Sequence, residues 1–339
     1  MIVGAGIIGA SIAWRLSQAG FTVTLVDAGN MGGEASWAGA GMLAPGGEVS
    51  EESEWARFAL ESLALYPAFV RELESESGDH IDLRLCGALE IAGTEDEWKA
   101  LQERRVGQQA MGIRAEEAAP VAGAAGALFF PDDAIVDPRD VMHALRTVCR
   151  NRGIKVLEQV RVNEIRMVPA RVDLLTSAGT LSASAAVLAA GAWSGDIGLS
   201  SSEIPVEIAR TFPVRGHLLG YSLPPGSLGH ILRRGHTYLL QRTSGFTIAG
   251  TSSEMAGFDR NLDPAIIADI ARRATELWPV LRSSPEPQAW VGFRPATGDY
   301  QPRIGRLAGT DLWLAYGHYR NGILLAPATA QRISRQMAA

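Results

Sequence analysis

Two arginines near the end of the chain, Arg294 and Arg320, flank a turn that could hold a carboxylate. Arg294 lies in G-F-R-P, and Arg320 lies in G-H-Y-R-N-G, soon after a short apolar strand predicted over 312–316. A helix is predicted to begin near Asn321, and the unpaired N–H groups at a helix start lie at the positive end of its dipole. Guanidinium groups beside such a helix start indicate a pocket for an anion. The alternatives are an ion pair at a domain edge for Arg294 and a solvent-facing side chain for Arg320.

The first 27 residues have the pattern of a dinucleotide-binding turn. The opening M-I-V-G-A-G-I-I-G places three glycines in G-x-G-x-x-G spacing between the end of a strand and an amphipathic helix predicted over 7–19. The glycines are Gly4, Gly6 and Gly9. A strand predicted over 22–26 ends in Asp27, close to the spacing at which a carboxylate binds an adenosine ribose. Strand, turn, helix and acid together predict a dinucleotide site.

Two further segments rich in small residues are predicted to meet the same ligand. The segment 29–47 is long for a connection inside a compact domain, and its small residues would let the backbone approach a flat ligand. Ser36 is available there for a phosphate. A strand predicted over 185–190 opens into A-A-G-A-W-S, which holds Gly191 and Trp193, at the strand end where open α/β sheets place ligands. For Trp193 a core position is the alternative.

Between these segments the pattern predicts helices and then antiparallel strands. One long helix, or two in series, is predicted over 51–76, and alternation over 81–92 predicts a hairpin. Helical stretches are predicted over 94–110 and 115–121. Short alternating strands over 204–250 without intervening helices indicate antiparallel β structure.

Asp137 followed by Pro138 is typical of a helix start. Further strands are predicted over 155–159, 162–168 and 172–176, and a helix over 264–278. The three glycine-rich turns can meet one ligand only if a sheet is assembled from separated segments of the chain. The antiparallel part would then form a second domain over the ligand.

Composition and charge exclude several functional classes. Hydrophobic residues make up 47% and charged residues 20% of the 339, as in ordinary globular α/β proteins. The net charge is −6 with no basic run, which argues against nucleic acid or an anionic membrane as partner. Cys86 and Cys149 lack C-x-x-C spacing, as expected for reduced thiols in a cytoplasmic protein. The six histidines show no metal-ligand spacing, and no apolar stretch reaches the length of a membrane span. The N-terminal apolar run lacks a basic region and is not expected to be a signal peptide.

The motifs together resemble the flavin-dependent D-amino acid oxidase superfamily. They are the opening V-G-A-G-I-I-G, the loop G-G-E-A-S-W-A-G-A-G-M-L-A-P, the turn A-A-G-A-W-S and the closing G-H-Y-R-N-G-I-L-L-A-P-A-T. Within the superfamily they look most like the glycine oxidases, over essentially the whole chain. The resemblance implies a Rossmann-like FAD-binding domain with an interleaved antiparallel α+β substrate domain. The implied segments are 1–78, 138–203 and 299–339 for FAD, and 79–137 and 204–298 for the substrate.

The resemblance also implies site residues by motif match. Arg294 would hold the substrate carboxylate, with Arg320 beside it and Tyr238 over the substrate. The implied FAD-binding residues are Gly4, Gly6, Ile7, Ile8, Gly9, Asp27, Ala28, Ala35, Ser36, Ala40, Gly41, Met42, Val162, Gly191, Trp193, His318, Tyr319, Arg320, Asn321, Gly322, Ile323 and Leu324. Without the resemblance, Tyr238 would be expected to pack as an ordinary strand residue. His318 could contact the ligand through its backbone or cap the helix.

The implied reaction is oxidative deamination of glycine and small amines such as sarcosine and D-alanine. Hydride passes from the substrate Cα to a non-covalent FAD, and oxygen then gives hydrogen peroxide. Backbone N–H groups at 321–323 would face the negative charge on the flavin. The resemblance also implies that the protein has a role in thiamine thiazole synthesis. The subunit count stays open, with a homo-oligomer as one option.

Several other functions are compatible with parts of this sequence pattern. A D-amino acid dehydrogenase, or a sarcosine oxidase-like enzyme with another acceptor or a bulkier substrate, shares the same motifs. No cysteine follows Cys149, so the flavin linkage through a late cysteine found in sarcosine oxidases is not available. A nicotinamide reductase would need a second G-x-G-x-x-G half. A non-catalytic flavin-binding protein would leave the two arginines and Tyr238 without a role, and the acidic net charge argues against a tRNA substrate.

Overall fold

The computed structural model describes residues 1–119, 121–202 and 204–339. The α-helices of this described part are α1 Ile7–Gln18, α2 Ala35–Ala38, α3 Glu54–Ser77, α4 Glu95–Ala110, α5 Pro138–Asn151, α6 Pro264–Leu277 and α7 Gly322–Ala338. Short 3-10 helices span Pro45–Gly47, Gly191–Asp196, Pro279–Ser283 and Tyr319–Asn321.

The strands fall into four sheets. In chain order they are β1 Ile2–Val3, β2 Thr24–Val26, β3 Met42–Leu43, β4 Leu83–Arg84, β5 Ala88–Ala92, β6 Glu116–Glu117, β7 Gly126–Phe130, β8 Ala134–Val136, β9 Lys155–Leu157, β10 Val162–Val168, β11 Arg171–Thr176, β12 Gly179–Ala183, β13 Ala186–Leu188, β14 Gly198–Ser201, β15 Thr211–Ser222, β16 Ile231–Arg234, β17 Thr237–Gln241, β18 Phe246–Gly250, β19 Gln288–Thr297, β20 Arg303–Arg306 and β21 Leu312–Tyr316. The sheets have six, four, eight and three strands.

The six-stranded sheet brings the predicted ligand turns to one edge. Its order is β20-β21-β13-β1-β2-β9, and all neighbours are parallel except β20. The segments that follow β1, β2, β13 and β21 therefore leave from the same, carboxyl edge. β1 and β13 are adjacent although 185 positions separate the paired residues Ile2 and Val187, so the sheet is assembled from separated segments, as predicted.

Each face of this sheet has its own core. Helices α1, α3, α5 and α7 cover one face, where Trp14, Phe69 and Leu325 are buried together with Ile2. The four-stranded sheet, in the order β12-β11-β10-β14, covers the other face and packs Ile165 into the second core. Two apolar faces buried in this way fit the short, wholly apolar strands that the sequence shows.

The eight-stranded sheet lies over the ligand edge. Its order is β19-β15-β18-β17-β16-β5-β7-β6, with only the β5–β16 pair parallel. Helix α6 packs on one face, where Leu219, Leu239 and Ala249 are buried with Ile270. The mixed, mainly antiparallel sheet and the Rossmann-like sheet agree with the predicted fold class. The small sheet β3-β8-β4 joins the two parts.

Helix ends confirm several predictions. Asp137 caps α5, and its Oδ1 accepts a hydrogen bond from Arg139 N at 2.9 Å. Helix α3 is one continuous helix that contains Pro67 and ends at Gly78, whose φ of +78° suits glycine. No helix among the described residues is long and apolar enough to cross a membrane.

Two local predictions are wrong. The hairpin over 81–92 does not form, because Leu83–Arg84 pairs with β8 while Ala88–Ala92 pairs with β7 and β16. Gly87, with φ of +69°, turns the chain from one sheet to another where a Cβ would lie 2.4 Å from the Phe129 ring. The helix over 115–121 is replaced by the strand Glu116–Glu117, and Pro120 of that stretch lies outside the described residues. Glu203, the last residue of the predicted segment 138–203, also lies outside them.

Candidate active site

One large cavity lies between the carboxyl edge of the six-stranded sheet and the uncovered face of the eight-stranded sheet. Its volume is about 1490 Å³, above the roughly 300–1,000 Å³ typical of pockets for drug-sized ligands. Twenty of the twenty-two predicted FAD-binding residues line it, and so do Arg294 and Tyr238. The other two are Gly9 and Leu324. The cavity has room for a large cofactor and a small second ligand.

The first glycine turn is built for close contact. Gly4 has a φ of +101°, and a Cβ there would lie 2.3 Å from the carbonyl oxygen of Ala189, the residue that follows β13. Gly6 lines the cavity at the N-terminus of α1. Gly9 lies behind the turn, where a Cβ would be 1.9 Å from Gly4 O, so it serves the packing of α1 on β1. These features match the three roles of the glycines in a dinucleotide turn.

Asp27 accepts two backbone hydrogen bonds at the carboxyl edge of the six-stranded sheet. Its Oδ2 accepts from Ala5 N and its Oδ1 accepts from Gly29 N, both at 2.7 Å. Burial raises the pKa of the carboxyl group above its usual value, and the two N–H groups oppose that shift. Asp27 and Ala28 line the cavity at the end of β2, where the predicted ribose contact would be made. Val162 at the start of β10 is buried and lines the same end.

The segment after β2 wraps the start of α1. Ser36 Oγ accepts from Ile7 N at 2.9 Å, so this hydroxyl, which was predicted to be available for a phosphate, already pairs an amide of the turn. Gly41 has a φ of +84°, and a Cβ there would lie 2.0 Å from Val136 O. Ala35, Ala40 and Met42 also line the cavity.

Arg242 holds this segment and was missed from the sequence. Its buried guanidinium donates to the carbonyl oxygens of Ala40 and Val136, and its Nε lies 3.4 Å from Asp137 Oδ2. Burial lowers its pKa, and Asp137 opposes that shift. An arginine after a strand in Q-R-T-S-G carries no motif that would have marked it.

The closing segment crosses the cavity after β21. Tyr319 has a φ of +49°, a left-handed conformation that is rare for a residue with a Cβ and is concentrated at functional sites. Asn321 N donates to His318 O at 2.9 Å, so the first of the N–H groups predicted to face the flavin is paired inside the turn. Gly322 and Ile323 line the cavity, whereas Leu324 is buried in the helical core.

His318 and the turn after β13 support this wall. The His318 ring is buried, its Nε2 lies 3.1 Å from Thr329 Oγ1, and burial lowers its pKa to about 3. The predicted capping role is wrong, because the neutral imidazole makes no cap hydrogen bond and is bonded instead to the interior of α7. Gly191 lines the cavity with a φ of +56°. Trp193 also lines it and stacks on Phe258 with ring centroids 4.7 Å apart.

Arg294 lies on the cavity face of the eight-stranded sheet. The strand register puts Glu90, Arg233, Tyr238, Gly216 and Arg294 on this one face, opposite the face that α6 covers. The Arg294 guanidinium donates to Thr251 Oγ1 at 2.8 Å, to Ser252 O at 3.1 Å and to Arg215 O at 3.4 Å. All three acceptors are neutral, and no carboxylate of the described residues forms an ion pair with it. Burial lowers the pKa of this guanidinium, because its charged form is partly removed from water.

Tyr238 lies close to Arg294 on that face. A Cβ at Gly250 would be 2.5 Å from the Tyr238 hydroxyl, so the glycine makes room for the ring. Burial raises the pKa of Tyr238 to about 12 in spite of the nearby Arg294. The hydroxyl is therefore protonated near neutral pH and can donate a hydrogen bond. Tyr238 and Arg294 line the same cavity, and the role over the substrate that the resemblance implies for Tyr238 stays a prediction.

Arg320 is placed differently from Arg294. Its side chain is half-exposed and both its Nε and Nη2 lie 2.7 Å from Glu48 Oε2 across the cavity. It lines the cavity but is neutralised by this ion pair. The sequence predicted that Arg320 either lies beside Arg294 at the substrate carboxylate or faces solvent, whereas in the structure its half-exposed guanidinium is paired with Glu48.

Comparisons with known proteins agree with this geometry. The family model "FAD dependent oxidoreductase" (DAO) matches residues 1–336. A glycine oxidase of Bacillus licheniformis is 33% identical, with 98% of this chain and 91% of that protein covered. The bifunctional protein ThiO/ThiG of a Synechocystis species is also 33% identical, with 98% of this chain and 50% of that protein covered. The crystal structure of glycine oxidase from Geobacillus kaustophilus superposes with a TM-score of 0.93 at 30% identity, covering 99% of this chain and 93% of that one.

Proposed function

Because the chain belongs to the FAD dependent oxidoreductase (DAO) family and is a FAD-dependent enzyme, we propose that it oxidises glycine and small amines such as sarcosine and D-alanine. Glycine, oxygen and water would give glyoxylate, ammonia and hydrogen peroxide. Similarity to glycine oxidases over nearly the whole chain supports this substrate class. We also infer a role in thiamine thiazole synthesis, which the similarity to a ThiO/ThiG protein supports.

The observation that carries the proposal is the unpaired guanidinium of Arg294. A partly buried cation bonded only to neutral oxygens is stabilised by an anionic ligand, and the cavity is where that ligand can enter. Arginine binds a carboxylate through two parallel hydrogen bonds, which fixes the orientation of the bound amino acid. A charge-assisted hydrogen bond contributes about 1.5–3 kcal/mol, enough to favour a carboxylate ligand by at least about tenfold.

The residues of the first sheet fit a bound FAD. Gly4 and Gly6 leave the backbone open beside the N-terminus of α1, a site suited to a pyrophosphate, and Asp27 lies where a ribose would. The closing segment from His318 to Ile323 would face the flavin ring. Bound FAD supplies the acceptor for two electrons. Cys86 and Cys149 do not line the cavity, which supports non-covalent binding.

The chain's own residues mainly bind and orient the substrate. With a pKa of about 12, Tyr238 cannot accept a proton near neutral pH, so we assign it a hydrogen-bonding role and not that of a base. The amine is then deprotonated by water before its Cα is oxidised. Trp193, Phe258 and Phe293 form an aromatic cluster, and Trp193 and Phe293 of this cluster line the cavity.

Anaerobic reduction tests the proposal. The purified holoenzyme should be yellow and lose its visible absorbance when glycine is added without oxygen. Admission of air should restore the absorbance and produce peroxide and glyoxylate. If glycine, sarcosine and D-alanine all fail to reduce the flavin, the proposed function is wrong. Reduction without reoxidation by air would assign a dehydrogenase with another acceptor.

A further inference from the structure

Seven arginines of the described residues line the cavity. Arg233 and Arg294 lie on the eight-stranded sheet and Arg320 lies in the closing segment, and two of these three already form ion pairs. Arg233 donates to Asp133 Oδ2 at 2.8 Å and lies 3.3 Å from Glu90 Oε2. Arg320 is held by Glu48. Among these three, only Arg294 is bonded to neutral groups alone. Of these three arginines, Arg294 is therefore the one without an ion pair, and Glu48 adds a carboxylate to the cavity lining at the Arg320 position.

The backbone segment that carries Glu48 is held by hydrogen bonds to buried side chains. The buried side chain of Gln108 donates to Gly46 O at 2.8 Å and to Val49 O at 2.7 Å. Gly46 N donates to Asp133 Oδ1 at 3.1 Å. Both sides of Glu48 are thus anchored to buried groups, and the residue lines the cavity opposite the closing segment.

We propose that Glu48 is a specificity-determining residue that restricts the substrate to a single carboxylate. Its ion pair withholds Arg320 from ligands, so that Arg294 alone binds the carboxylate of the amino acid. A second carboxylate on the substrate would meet the negative charge of Glu48 in a partly desolvated cavity, where like charges repel strongly. Small zwitterions with an uncharged substituent, such as glycine and sarcosine, avoid this repulsion.

Two ethers that are not oxidised allow the effect of a second carboxylate on binding to be measured without turnover. Methoxyacetate and diglycolate have the shapes of sarcosine and iminodiacetate with oxygen in place of nitrogen, and they differ by one carboxylate. Their Kd values are measured by calorimetry on the FAD-loaded protein at low ionic strength, where charges are less screened. The native protein should bind methoxyacetate more tightly than diglycolate.

The Glu48→Gln variant should lower the ratio of the diglycolate Kd to the methoxyacetate Kd by about tenfold, because one repulsive charge is lost and Arg320 becomes free. Arg320→Gln should raise the same ratio, since Glu48 then lacks its counter-ion. Glu52→Gln is the matched control, because Glu52 forms an exposed ion pair with Arg57 at 2.6 Å away from the cavity lining. It should leave the ratio unchanged.

An unchanged ratio in Glu48→Gln, or an equal change in Glu52→Gln, overturns the assignment. If Glu48→Gln does not retain FAD, the Arg320→Gln ratio decides, and a ratio that does not rise is a negative result. The choice of ligands rests on the proposed function, but the two can fail separately. A shifted ratio in a protein that does not oxidise glycine overturns only the function, whereas glycine oxidation with an unshifted ratio overturns only the role of Glu48.

Discussion

The guanidinium of Arg294 lies so close to the backbone of Gly216 that a Cβ at position 216 would be 2.4 Å from Nη2 and 2.5 Å from Nη1. The two residues face the cavity from neighbouring strands of the eight-stranded sheet. Gly216 therefore provides the space that lets the guanidinium lie over the sheet and reach Thr251 and Ser252. The carboxylate site that we propose therefore depends on a glycine of the neighbouring strand.

We expect Gly216→Ala to displace Arg294 and raise the KM for glycine at least about tenfold, as expected when one charge-assisted hydrogen bond is lost. Flavin content should stay normal, because Gly216 lies on the sheet that bears Arg294 and not in the glycine turns of β1 and β13. Gly229→Ala is the control, since that glycine has no heavy atom within 4 Å of an added Cβ. Steady-state kinetics and the flavin-to-protein absorbance ratio test this, and equal KM values for the two variants would contradict it.

Arg294→Met and Arg233→Met should have very different effects on the free energy of unfolding. Arg294 has no counter-ion to leave behind, so its removal should cost little free energy of unfolding or even raise it in the absence of substrate. Arg233→Met leaves Asp133 buried without its cation and should cost about 3–5 kcal/mol. Thermal unfolding of both variants with bound FAD checks this. Similar large losses of stability would mean that Arg294 is structural.

Much of the cofactor edge could be predicted from the sequence because its signals are local. The glycine turns after β1 and β13 and the segment after β21 each follow a short apolar strand. Parallel strands bring all such turns to one edge. Asp27 and the segment around Ser36 were found for the same reason, although the Ser36 hydroxyl pairs Ile7 N.

The cavity face of the eight-stranded sheet could not be predicted in the same way, because it depends on strand register across distant segments. Glu90, Arg233 and Arg294 share a face only through the pairing of β5 with β16 and of β15 with β19. The partners of Glu48 and Arg242 are 272 and 202 residues away in the chain, and no local pattern links them. The hairpin over 81–92 was predicted wrongly for a related reason. The left-handed turn at Gly87 leads the chain from one sheet to another and does not join two strands of a hairpin.

Asp27→Asn should weaken FAD binding by at least about tenfold. Asn can accept only one of the two hydrogen bonds that Asp27 receives from Ala5 N and Gly29 N, and its amide group would face the other donor. Glu158→Gln is a matched control, because Glu158 accepts from Met31 N at 2.6 Å without lining the cavity. Titration of the FAD-free proteins with FAD, followed by fluorescence quenching, gives both Kd values. A similar loss in the two variants would show that the effect is not specific to the cavity.

His318 should make the folded protein sensitive to acid. The pKa of His318 is about 3 in the folded protein, whereas the pKa of an exposed histidine is ~6.5. Between these two pH values the unfolded state therefore binds more protons than the folded state. The stability from the neutral ring is therefore fully present above about pH 6.5 and is lost as the pH falls toward 3. The expected slope is up to about 1.4 kcal/mol per pH unit. His318→Gln should flatten the dependence of the unfolding midpoint on pH between about 4 and 6, while His143→Gln, at an exposed histidine of α5, should not. Parallel curves for the native protein and His318→Gln would mean that other buried groups cause the acid sensitivity.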